Sequence, residues 1–162
     1  MTPRGDPQEP ETGQESVWDY PRPPRLEPSG RRVVVKLGTD VVADTTAAYR
    51  VLETSHPPSW YLPRKAVADG VLRRSPARGT VCEWKGLATY WDVGDLDRAA
   101  WSYQSPTGPF EAITGYVAFF PGLLTCTVDG EQVLPQPGGF YGGWITSDVV
   151  GPFKGGPGST GW

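Results

Sequence analysis

Short runs of β-branched and aromatic residues recur along this chain, separated by Gly, Pro and Asp at the spacing expected of an all-β protein. Residues 32–37 (Arg-Val-Val-Val-Lys-Leu) and 41–44 flank Gly38-Thr39-Asp40 and predict a hairpin, and residues 49–53 predict a third strand. Pro57 and Pro58 break that pattern, and Pro63 predicts the start of a short helix over residues 64 to about 72. Residues 80–84 and 87–91 predict strands joined by a tight turn or bulge at Lys85-Gly86, with a further strand at 99–103. Residues 109–113 suit one helical turn. Residues 116–120 and 124–128 predict a hairpin around Pro121-Gly122, and Asp129-Gly130 predicts a second turn closing onto 131–134. No Gly-x-Gly-x-x-Gly motif follows a strand, and no long amphipathic helix could cover a parallel sheet. The expected fold class is mainly β: a single small antiparallel barrel- or sandwich-like domain with one or two short helices.

Composition divides the chain further. With 21 Gly and 18 Pro the sequence nears the low-complexity range, but seven Trp argue for a packed body. Residues 1–15 read as a disordered acidic, Pro-rich tail, and residues 16–30 as an extended arm carrying Trp18 and Tyr20, which are expected to dock. Residues 31–134 form the expected core domain. Residues 135–162 hold nine Gly together with Phe140, Tyr141, Trp144, Phe153 and Trp162, so this segment should pack on the core through its rings.

The charge of −3 lies in the first 30 residues, where three Arg face six carboxylates; the remainder is neutral. A neutral body lacks the broad basic surface that duplex nucleic acid requires. No apolar h-region opens the chain, and the longest apolar run, residues 116–120, cannot span a bilayer. The expectation is a cytoplasmic protein without membrane association.

Several segments together carry a resemblance: Glu53, Trp60-Tyr61-Leu62-Pro63-Arg64, Cys82-Glu83-Trp84-Lys85-Gly86-Leu87-Ala88-Thr89-Tyr90, Ala100-Trp101-Ser102-Tyr103, and Val117-Ala118-Phe119-Phe120 with Val128-Asp129-Gly130. Over about residues 32–134 the chain resembles domain of unknown function 427. The flanking Trp18-Asp19-Tyr20-Pro21 and residues 138–144 look like those of actinobacterial members. The resemblance implies a small all-β fold similar to the β-tent of methionine-R-sulfoxide reductases, and it also carries a nucleotidyltransferase label. One departure is Ala66, which stands where the family usually has an acid.

The candidate chemistry is sparse. Cys82 shares strand parity with Trp84, and Cys126 with Leu124 and Val128, so both read as core thiols. With the lone His56 they fall short of a zinc ligand set, and no metal or cofactor is expected. Lys85, beside Gly86, is placed to hold phosphate or carboxylate, or else pairs with Glu53 or Glu83. The basic run Arg64, Lys65, Arg73, Arg74 and Arg78 reads first as a solvated face, and second as an anion site or as a dock for Glu9, Glu11 and Glu15. Tyr61, Tyr90, Trp101 and Tyr103 supply rings that suit a planar ligand or a core. Two readings follow. In the first, Tyr61, Arg64, Lys85, Tyr90, Trp101 and Tyr103 bind a small, anionic, partly planar molecule. A catalytic version uses Glu53 as base with Lys85 as electrostatic stabiliser. In the rival reading the aromatic tails mediate self-association as a homodimer.

Overall fold

The computed structural model describes residues 6–76, 79–82 and 84–162. The strands are, in order, β1 (Glu15–Ser16), β2 (Arg25–Ser29), β3 (Val33–Leu37), β4 (Asp40–Thr45), β5 (Ala48–Leu52) and β6 (Ser59–Tyr61). They continue with β7 (Leu72–Arg74), β8 (Val81–Cys82), β9 (Gly86–Val93), β10 (Leu96–Tyr103) and β11 (Val117–Phe119). The chain closes with β12 (Thr125–Val128), β13 (Glu131–Gln132), β14 (Leu134–Pro135), β15 (Trp144–Ile145) and β16 (Val149–Val150). The expected mainly-β class is observed, as several antiparallel sheets rather than a closed barrel. β13-β12-β3-β4 form one sheet, β11-β10-β9-β7 with β8 a second, and β2-β5-β6 a third. Paired bonds between Leu62 and Val117, each 2.8 Å, join the third sheet to the second.

Two elements differ from the sequence expectation. Residues 64–72 do not form a helix: only Arg64–Ala66 make a 3-10 turn. Val67 bridges Ala43 and the Ala68 amide donates to Val42, so this backbone is drawn onto the edge of β4 before a second turn can close. The segments 116–120 and 124–128 are not a hairpin either. β11 pairs with β10, whereas β12 pairs with β3 and β13, so Pro121-Gly122 connects two sheets. The Asp129-Gly130 hairpin is present, with positive φ at both residues (49° and 84°). The helical turn expected at 109–113 appears as the 3-10 segment Gly108–Ile113.

Alternation along the strands sorts side chains into three clusters. Val33, Val35, Trp60, Leu62, Val93, Phe119, Val128 and Trp144 fill the main core. Tyr61, Tyr90, Trp101, Tyr103, Phe110 and Ile113 form a second cluster. Along β6 and the residue that follows it, Trp60 and Leu62 face the first while Tyr61 faces the second, as the two-residue period requires.

The third cluster ties the terminal segments to the body: Val17, Tyr20, Leu52 and Val149. Above it, the buried Arg50 binds Glu27 (Nε 2.9 Å) and Glu15 (Nη1 2.6 Å), and Glu15 also accepts from the Tyr20 hydroxyl at 2.6 Å. Burial opposes the Arg50 charge, yet the two carboxylates raise its pKa and keep it protonated. Glu15, at the end of the tail expected to be disordered, is therefore bound to the third sheet and not to the basic run. Gln8 also pairs with Gly151 at 2.8 Å; residues 1–5 and Arg78 lie outside the described residues. Trp18 packs edge-on against Trp162 (5.4 Å) and donates to the Pro152 carbonyl.

Trp144 is fully buried, stacks on Trp60 at 6.0 Å and donates its indole N–H to the Phe119 carbonyl. Trp144→Ala is expected to lower the unfolding free energy by about 4 kcal/mol in urea denaturation. A loss below about 1 kcal/mol would mean that residues 135–162 are not part of the cooperative core.

Candidate functional site

Antiparallel pairing of β9 with β10 sets Trp101 opposite Tyr90 and Tyr103 opposite Ala88, so these four side chains leave the same face. The short Ala88 side chain opposite Tyr103 leaves room above the sheet. Around that room lies a cavity of about 450 Å³. Its floor is tightly ordered: the Trp101 indole donates to the Tyr61 hydroxyl (3.1 Å) with the rings edge-to-face at 6.1 Å, and Tyr103 lies 6.3 Å from Tyr61. The Tyr90 hydroxyl meets Thr80 Oγ1 at 2.8 Å. Burial raises the pKa of both Tyr61 and Tyr103, so each phenol keeps its proton.

The turn between β8 and β9 forms a second wall with Cys82, Trp84 and Lys85. Gly86, at φ 101°, takes a backbone geometry that side chains rarely adopt, and it lets the chain fold back directly after Lys85. Thr107 clamps the turn, its hydroxyl donating to the Trp84 carbonyl and its amide to that of Lys85. Lys85 is only 8% exposed, and its ammonium lies 5.7 Å from the centre of the Tyr103 ring. Among the described residues no carboxylate stands within ion-pair distance of it; Glu83 lies outside the described residues.

Glu53 and His56, just after β5, make a third wall, and Gln136, Tyr141 and Lys154 from the C-terminal segment make the fourth. These two walls are joined. The Gly143 amide donates to Gln136 Oε1 (3.1 Å), which fixes the orientation of the side-chain amide. Gln136 Nε2 then donates to the Lys154 carbonyl (2.8 Å) and to His56 Nδ1 (3.1 Å). With Nδ1 accepting, the imidazole proton resides on Nε2, which faces Glu53 Oε2 at 3.8 Å. Burial, aided by the charges of Lys154, Arg22 and Lys85, pushes the His56 pKa down to about 3, so the ring is neutral. Glu53 Oε2 also lies 3.7 Å from Arg22 Nε. The carboxylate thus faces Arg22 and His56 and not Lys85, the partner that the sequence offers for it.

Six of the seven residues expected to form a site converge here: Glu53, Tyr61, Lys85, Tyr90, Trp101 and Tyr103 all line the cavity. Arg64 does not. Its guanidinium lies 5.2 Å from the ring of Trp91, which neighbours Tyr90 on β9 and therefore projects from the opposite face of the sheet. The shared hollow expected for Arg64 and Lys85 is not formed, and the helix that would have lent Arg64 free amides is also missing. Cys126 is a core thiol, raised by burial to about 12, but Cys82 is half-buried and lines the cavity. The sequence reading left out His56, Gln136, Tyr141 and Lys154 as wall residues. Lys154 carried a signal, being the only Lys or Arg among residues 135–162.

The neutral His56 makes stability depend on pH. In the unfolded chain it titrates near 6.5 and in the folded protein near 3, so between these values the unfolded state holds the extra proton and stability falls as pH falls. Since the chain has one His, urea denaturation should show little change from pH 8 to 7. It should then show a decline approaching ~1.4 kcal/mol per pH unit between about pH 6 and 5, above the range in which most carboxylates titrate. His56→Gln should remove that slope. An unchanged slope in the variant would contradict the buried neutral ring.

None of the curated proteins compared matches the chain. A family match spans residues 25–133, which include the floor, the Lys85 turn, Glu53 and His56, while Gln136, Tyr141 and Lys154 lie beyond it. With two thirds of its length matched, the chain belongs to the family described as a domain of unknown function, DUF427.

Proposed function

We propose that the cavity is a binding site for a small, anionic, partly planar molecule. The observation that carries this reading is Lys85. Among the described residues this buried ammonium has no counter-charge, which is costly unless something supplies one, and it borders an open cavity walled by rings. The rings suit a flat ligand, because aromatic faces and edges favour stacked or edge-on partners. Lys154 and the Nε2–H of His56 supply further donors across the cavity, and Glu53 is the wall carboxylate placed to accept a proton from a bound molecule. The aromatic tails favour this reading over self-association: Trp18, Trp144 and Trp162 make ring contacts within the chain, which gives them an intramolecular role.

A thermal-shift screen of aromatic carboxylates and nucleotides tests the reading, because a compound that binds only the native state raises the midpoint. For the best compound, Lys85→Ala should weaken binding by about tenfold or more, the size of a charged hydrogen bond. Arg64→Ala should leave the affinity within about twofold, since that side chain lies on the far face of the sheet. Absence of any shift across the screen, or equal losses in the two variants, would reject the proposal.

A further inference from the structure

The polar groups on the cavity wall can be matched to their partners one by one, and what is left specifies the ligand more closely. Glu53 lies against Arg22 and the Nε2–H of His56. Lys154 Nζ donates to the Trp162 carbonyl at 3.1 Å and lies 5.8 Å from the Tyr141 ring. His56 is neutral. Among the described residues, Lys85 remains as the ammonium whose partner is a ring and not an oxygen. One ammonium without an oxygen partner matches a single anionic group. A triphosphate would bring several negative charges to that one spare ammonium, beside the Glu53 carboxylate, without the bidentate arginine contacts that suit phosphate.

The mouth of the cavity has a different character. Val81 and Phe140, both among its lining residues, are 78% and 59% exposed. Large apolar side chains clustered at one opening differ from the scattered exposed residues of an ordinary surface, and they mark a contact for apolar matter.

From these two observations we infer that the ligand is a monoanionic aryl carboxylate with an apolar substituent. Its carboxylate meets Lys85, its ring lies among Tyr61, Tyr103 and Trp84, and its substituent leaves between Val81 and Phe140. This rests on the proposed function and narrows it to a class: one negative charge, one ring, one apolar tail.

Isothermal titration calorimetry of the full chain with benzoate, para-butylbenzoate, para-butylbenzamide and adenosine triphosphate separates the alternatives. Para-butylbenzoate should bind about tenfold more tightly than its neutral amide and about tenfold more tightly than benzoate. Adenosine triphosphate should bind more weakly than para-butylbenzoate. Lys85→Met should abolish the preference for carboxylate over amide. Val81→Ser combined with Phe140→Ser should abolish the butyl gain, so that the variant binds para-butylbenzoate no more tightly than benzoate. Tighter binding of adenosine triphosphate than of any benzoate, lost in Lys85→Met, would overturn the monoanion assignment and leave the anion pocket standing. A butyl group without effect would overturn the apolar exit. Failure of every probe at millimolar concentration would remove the pocket reading itself, and this inference with it.

Discussion

The ladder between β9 and β10 decides which side chains meet. Both strands are eight residues long, and their register places Ala88, Tyr90, Trp101 and Tyr103 on one face. Trp91 and Val93 project from the other, toward the main core. One ladder thus supplies both a wall of the hydrophobic core and the floor of the cavity. A slip of one residue would exchange the two sets, moving phenols into a valine-lined core and stripping the cavity of its rings. Trp91 reinforces the pairing from the core side, donating its indole N–H to Ser102 at 2.9 Å. The strands on either side, β7 and β11, inherit their positions from this pair.

A floor alone is not a site, and the remaining walls come from segments far apart in sequence. The C-terminal segment reaches His56 through Gln136, and the same glutamine amide holds the backbone at Gly143 and Lys154. Gly142 lies so close to the Trp101 ring that a Cβ there would overlap it, which explains why this approach needs glycine. The arm from Trp18 to Arg25 is secured by the opposite device, a charge cluster centred on Arg50 that gathers Glu15, Glu27 and Tyr20. Arg22, carried on that arm, then reaches Glu53 at the cavity wall. The terminal segments therefore govern the electrostatics of a site whose floor belongs to the central sheet.

Much of this was legible in the sequence because it is local. The β-branched run at Val33, the Asp129-Gly130 turn and the aromatic alternation around Trp101 each act within a few residues, so composition and period reveal them. The errors arise where distant backbone competes. Residues 64–72 have a helix start signal at Pro63, yet Val67 and Ala68 bond to β4 instead. Pro121-Gly122 is a sound turn, but its flanking strands find better partners in β10 and β3. Arg64 was drawn into the expected site by proximity in sequence to Tyr61, three residues before it. A change of sheet face separates the two, and strand parity cannot be followed through a segment whose structure is misassigned. His56 and Gln136 were hidden for a further reason: their pairing spans 80 residues, and nothing in either segment marks the other.

The same competition explains why the lysine beside Gly86 is informative. A fold selected for stability alone would fill the space above Ala88 with an apolar side chain, because burying a charge costs free energy that only a matched partner returns. Elsewhere this protein supplies such partners generously: Arg50 has two carboxylates, and Arg31 binds both Asp129 (3.2 Å) and Asp148 (2.8 Å). Lys85 is held in place by a clamped turn and a glycine, beside a ring that contributes little compared with a carboxylate. The chain thus spends backbone constraint on keeping an ammonium at a cavity wall, where no described residue supplies the negative charge, and the proposed ligand is the group that would bring it.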